Sequence, residues 1–129
     1  MYDFQKAQRL IGYTFNNPDL LKEALMHRSF ATEHNIKYDN QRLEFLGDAV
    51  LQIILTEYIF KRYPELAEGD LTKIRSALAN QSALAQLAVR LDLGNALMLG
   101  HGEQETGGRT RESTLSDTME AVLGAIMLD

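Results

Sequence analysis

Residues 40–51 read NQRLEFLGDAVL, and the two acids and the glycine inside this otherwise apolar helical pattern decide how the chain is to be read. Continued to Ile59 at helical spacing, Leu43, Leu46, Val50, Ile53, Ile54 and Leu55 form a broad surface expected to be buried. Glu44 and Asp48 stand one turn apart, in a row that goes on as Leu51 and Leu55. Two like charges at that spacing cost roughly 0.2–0.5 kcal/mol on an exposed helix. The cost rises to several kcal/mol per ion once they are partly desolvated without a partner. A cation is the expected partner.

Residues 113–129, STLSDTMEAVLGAIMLD, pose the same problem. Leu115, Met119, Val122, Leu123, Ile126 and Met127 supply an apolar part, while Asp117 and Glu120 share one face. Gly47 and Gly124 lie inside the two helices at a cost of roughly 0.5–1 kcal/mol each relative to Ala. Close packing of the helices would explain both, and a crossing there would bring Glu44, Asp48, Asp117 and Glu120 to one site. Oxygen ligands without Cys or His suit a hard ion, Mg²⁺ or Mn²⁺, rather than zinc.

NQRLEFLGDAVL, together with MHRSF at 26–30, EGDLTKIR at 68–75 and RESTLSDTMEAVLGAIMLD at 111–129, resembles the endonuclease domain of the ribonuclease III family, bacterial type. The resemblance covers nearly the whole chain in the family's order and spacing.

Composition sets the frame for that resemblance. The 129 residues suffice for one all-α domain, residues 1–129, with one core. Two prolines, no low-complexity run and no internal repeat argue against a linker. Without cysteine there is neither a disulfide framework nor a thiol nucleophile. No signal core or membrane-length apolar run is apparent, which gives the expectation of a soluble, cytoplasmic protein without membrane attachment. The net charge of −5 opposes tight phosphate binding. Part of that conflict eases if the acids hold divalent ions.

Along the chain, Phe4 to Ile11 reads as a first helix ended by Gly12, and Asn17-Pro18 starts a second running to about His27. His27 and Ser29 do not face each other on a helix and lack an orienting acid, so packing or capping is the expected role. Ala31 to Asp39 reads as a polar loop with His34 on its surface. The signature helix runs from about Asn40 to Arg62, stopped by Tyr63-Pro64. Gly69-Asp70 then starts a helix from Leu71 to about Ala79, and Asn80 caps another, Gln81 to Leu91, closed by Gly94. Ala77, Leu78, Ala83, Leu84, Leu87, Ala88 and Leu91 are expected in the core. His101 to Thr110 reads as a Gly-rich loop without the spacing of a P-loop, so no nucleotide cofactor is expected. Lys73, Arg75, Arg109 and Arg111 are the candidates for RNA phosphates, although each alone reads equally as a solvated residue.

The resemblance implies a Mg²⁺-dependent endoribonuclease cutting double-stranded RNA, as in the processing of rRNA and mRNA precursors, with Glu44, Asp48, Asp117 and Glu120 as catalytic metal ligands. It implies 5′-phosphate and 3′-hydroxyl ends, short 3′ overhangs and a homodimer, since one chain carries one set of carboxylates and a duplex has two strands. By the same resemblance Phe45, beside the first ligand, enters a pocket on the partner subunit, and Glu68 belongs to the catalytic valley in a supporting role. Gln41 stands where bacterial members usually have Glu, while dicer-type members also use Gln; the change affects a supporting contact rather than a ligand. Family endonuclease domains run somewhat past the equivalent of Asp129, and in bacterial members a double-stranded-RNA-binding domain follows. The alternatives are a non-cleaving module for structured RNA, which losses among the four acids would favour, and a carboxylate-bridged iron or manganese oxidase, which would need Glu-x-x-His pairs. Neither signature occurs in the sequence.

Overall fold

A computed structural model describes residues 2–129. The molecule is all-α, and the one extended pairing among the described residues is an isolated parallel bridge between Met26 and Met98. Its centre is α4 (Gln41–Arg62), packed most extensively on α8 (Glu112–Leu128). The register is antiparallel: Gly47 meets Glu120, and Gly124 meets Leu43. Around this pair lie α1 (Phe4–Ile11), α2 (Pro18–Ala24), α3 (Arg28–Glu33), α5 (Glu68–Ala79), α6 (Gln81–Arg90) and α7 (His101–Glu105). Short 3₁₀ turns at Leu93–Ala96 and Gly108–Thr110 complete the chain.

Local chemistry explains most of the boundaries. Asp3 and Asn17 accept N-terminal amide protons of α1 and α2, Pro18 opens α2, and Gly12 ends α1 at φ +78°. Asn80 accepts the Ala83 N–H at 2.8 Å and separates α5 from α6. The core gathers Leu21, Leu25, Met26, Leu93, Leu97 and Val122, all essentially without solvent contact. Asp129 joins the end of α8 to the turn before α2, accepting from the Tyr13 hydroxyl at 2.7 Å and from the Asn16 and Asn17 N–H groups at 2.8 Å.

Several boundaries differ from the sequence reading. The second helix stops at Ala24 rather than His27, because the Met98 N–H donates to the Leu25 carbonyl and the His27 N–H to the Met98 carbonyl, which draws the chain into the bridge. His27 then caps a separate helix, α3, which occupies the first part of the expected loop from Ala31. Ala67, rather than Gly69-Asp70, precedes α5, and both of those residues lie in its first turn. α6 ends at Arg90 with Leu91 as its cap. The 101–110 segment contains α7 and a 3₁₀ turn rather than an open loop.

The expected core was also too wide. Ile53 and Ile54 are 65% and 54% exposed, and Ala77, Leu78 and Leu87 also face solvent. α4 carries apolar residues around more of its circumference than α8 and α5 cover. No helix among the described residues is long and apolar enough to cross a membrane.

Candidate functional site

The site forms where α4 and α8 touch backbone to backbone. A Cβ on Gly47 would fall on the Glu120 carbonyl oxygen, and one on Gly124 would lie 2.5 Å from the Leu43 carbonyl oxygen. Only glycine allows this separation. The contact places Glu44, one turn before Gly47, against the first half of α8. One carboxylate oxygen each from Glu44, Asp117 and Glu120 lies within 4.8 Å of the others. Asp48 completes the group from the more exposed side, its carboxylate paired with that of Glu120.

The electrostatics are those of acids without a counter-charge. Burial pushes the Glu44 carboxyl up to about 7, helped by the neighbouring carboxylates of Asp117 and Asp48. Burial and the hydrogen bond with Asp48 push Glu120 up to about 8. Burial raises Asp117 too, against the opposing pull of Glu44 and the His27 imidazole. No Lys, Arg or His forms an ion pair with any of the four among the described residues. Half-buried oxygen donors converging without a protein cation fit a hard divalent ion.

The structure does not gather every expected residue here. Gln41 opens α4 on the face of Glu44 and Asp48, one turn earlier, and is exposed. Glu68 is exposed at the start of α5, where it shares a groove with Thr56, Ile59 and Phe60. Thr56 is twelve residues beyond Glu44 and eight beyond Asp48, so Glu68 is separated from the carboxylates of its own chain by roughly 12–18 Å along α4. Phe45 points away from the core at 83% exposure.

Of the four basic candidates, Lys73 alone is exposed without a hydrogen bond to the described residues. Arg75 donates to Thr56 Oγ1 at 3.0 Å. Arg109 donates to the Gly94 and Leu97 carbonyls at 3.0 and 2.7 Å, and Arg111 pairs with Glu103 and donates to the Thr106 carbonyl. Both arginines of the Gly-rich segment therefore serve to fold it, which the sequence did not indicate.

His27 is closer to the site than its sequence position suggested. Its Nδ1 accepts the Ser29 N–H at 3.1 Å, the capping role expected of it. Burial, then Arg111, lower its pKa, while Asp117 acts in the opposite direction. A lone His ahead of a short helix carries no signal of such a neighbour; the Met26–Met98 bridge creates it.

The model of the family described as ribonuclease-III-like matches residues 17–129. The chain is 46% identical over 128 residues to ribonuclease 3 of Geobacillus thermodenitrificans and 49% identical over 127 residues to that of Oleidesulfovibrio alaskensis. Each alignment takes in 98% of the chain and 52% and 56% of the relative, so the chain spans about half the length of these relatives. Among solved structures, the nuclease domain of ribonuclease III from Campylobacter jejuni superposes with a TM-score of 0.91 at 42% identity, over 98% of this chain and 85% of that one. That structure is described as flexible in a region involved in dimer formation. Dicer from Pichia stipitis superposes with a TM-score of 0.65 at 26% identity, over 89% of this chain and 46% of that one.

Proposed function

This chain belongs to the ribonuclease-III-like family, and we propose that it is a Mg²⁺-dependent endoribonuclease domain that cuts double-stranded RNA as a homodimer in the cytoplasm. The observation that carries this reading is the meeting of Glu44, Asp117 and Glu120, with Asp48 alongside, at a glycine-on-glycine helix crossing. All four acids expected of a nuclease are present, which disfavours a binding-only module.

Glu44, Asp117 and Glu120 would hold the ion, with Asp48 beside Glu120. Bound there, a divalent cation supplies Lewis acidity toward the scissile phosphate and makes an acidic water available near neutral pH. Glu44 and Glu120, whose pKa values burial raises, would give up their protons on binding it. Two rigid helices hold them in place, so little reorganisation is required when charge develops on the phosphate. In the reaction, a water oxygen bonds to phosphorus as the bond to the 3′ oxygen breaks, leaving a 5′-phosphate and a 3′-hydroxyl. No side-chain nucleophile is needed.

One chain carries one such cluster, and a duplex has two strands to cut. Exposed Ile53, Ile54 and Tyr58 line one apolar groove on α4 that could take a second copy, and Phe45 is exposed separately nearer the start of the helix. A groove beside Phe45, lined also by Gln41, Leu46 and Leu128, has the open volume, about 700 Å³, to receive an aromatic ring. A two-fold interface there would repeat the cluster for the opposite strand. Glu68, remote from the carboxylates of its own chain, would support a site only from across such an interface. Of the four basic candidates, Lys73 is the one exposed without a hydrogen bond to the described residues, and so free to meet the duplex.

The end chemistry tests the proposal. A long blunt RNA duplex incubated with the chain and Mg²⁺ should give short duplexes that RNA ligase can rejoin and that carry short 3′ overhangs, whereas the matching DNA duplex stays intact. Products ending in 2′,3′-cyclic phosphate would exclude this hydrolysis.

A further inference from the structure

We propose that the groove between the start of α3 and Gly100 seats a backbone phosphate of the RNA beside the carboxylates, held by the Nε2–H of His27 and the guanidinium of Arg28. This rests on the RNA-cutting reading above. The groove holds about 460 Å³ of open volume.

Hydrogen bonding fixes the direction of the His27 ring. The Gly100 N–H donates to Ser29 Oγ at 2.8 Å, leaving the Ser29 hydroxyl to donate to His27 Nδ1 at 2.7 Å. Nδ1 also accepts the Ser29 backbone N–H. Both contacts require an unprotonated Nδ1, so the neutral ring carries its proton on Nε2. That N–H has no acceptor among the described residues. Gly100 is required for the arrangement, because a Cβ there would come within 2.7 Å of the Ser29 carbonyl oxygen.

The acids lining the groove are already engaged. Glu33 accepts the His101 N–H at 2.6 Å, and Glu103 pairs with Arg111. Arg28 is exposed and makes no ion pair among the described residues. A directed N–H and an unpaired guanidinium thus remain in one groove, a combination suited to a phosphate. The Asn40 N–H donates to the Met26 carbonyl at 2.9 Å, which places His27 at the start of α4, about one turn before Glu44.

The test is duplex cleavage kinetics with Mg²⁺ for the wild type, His27→Asn and Arg28→Gln. Asn keeps an acceptor for the Ser29 N–H and is itself a favoured N-cap, but lacks the far donor. Loss of one hydrogen bond to a charged group should raise KM about tenfold in each variant, with kcat changed less than about twofold. The Tm and its increase with Mg²⁺ should match the wild type, and Arg28→Gln should lessen the salt dependence of KM. Wild-type KM in both variants would overturn the phosphate seat and leave the nuclease reading standing. A wild-type chain that does not cut would overturn the nuclease reading and the seat with it. Should His27→Asn fail to fold, KM of Arg28→Gln decides: a rise supports the seat and wild-type KM rejects it.

Discussion

Glu44 and Glu120 retain protons at pH values where ordinary glutamates have lost them, because burial and neighbouring acids both penalise the charged form. A pKa raised on folding gives stability that is complete below the ordinary value of 4.5 and is lost as pH rises through about 7 for Glu44 and about 8 for Glu120. The lowered pKa of His27 works the other way, but only below its ordinary value of 6.5. Between pH 6.5 and 8.5, then, the metal-free Tm should fall, and added Mg²⁺ should raise Tm more at pH 8.5 than at 6.5. A flat metal-free profile with an equal Mg²⁺ effect at both pH values would contradict the electrostatic account. Glu120→Gln removes the group most strongly affected; at pH 8 it should melt higher than the wild type without metal and gain less from Mg²⁺. The four acids were legible in the sequence because charges at helical spacing in an apolar helix demand an explanation. The phosphate-facing side of His27 was not, since it depends on Gly100, seventy-one residues from Ser29.

At the scale of the element, α4 and α8 act together through Gly47 and Gly124. Adding a methyl group at either position forces backbone apart rather than displacing a flexible side chain. Gly47→Ala should cost about 1–3 kcal/mol or more, the range for overpacked sites, and should also weaken Mg²⁺ binding by separating Glu44 from Glu120. Denaturant unfolding with and without Mg²⁺ measures both. Each helix pattern predicted its helix well, from Gln41 to Arg62 and through the C-terminal segment, and the glycine pair predicted the crossing. What failed was the distinction between core and surface apolar residues: Ile53, Ile54 and Leu78 carry the same periodic signal as Leu43 and Leu51. Periodicity reports a face that avoids water without reporting what covers it. The break between α2 and α3 was missed for a related reason, because neither glycine nor proline marks it and the pairing of Met26 with Met98 imposes it.

At the scale of the whole molecule, the exposed face of α4 and the single carboxylate cluster lead to one expectation. A second copy would cover the face and supply the second cluster. Ile53→Asp should convert a dimer to a folded monomer in sedimentation, since the residue contributes nothing to the core of its own chain; cleavage of both strands at one position should fall with it. A wild-type chain that sediments as a monomer at high micromolar concentration while making double-strand cuts would reject the homodimer. On the proposed function, the net charge of −5 leads to the expectation that this domain holds RNA weakly. The central claim is that converging acids cut RNA through a divalent ion. The most direct measurement is incubation of the chain with an end-labelled RNA duplex at low salt, with Mg²⁺ or with EDTA, alongside Glu120→Gln. The expected result is cutting that requires Mg²⁺ and falls about a hundredfold or more in the variant. Cutting that persists in EDTA, or at the wild-type rate in Glu120→Gln, would contradict it.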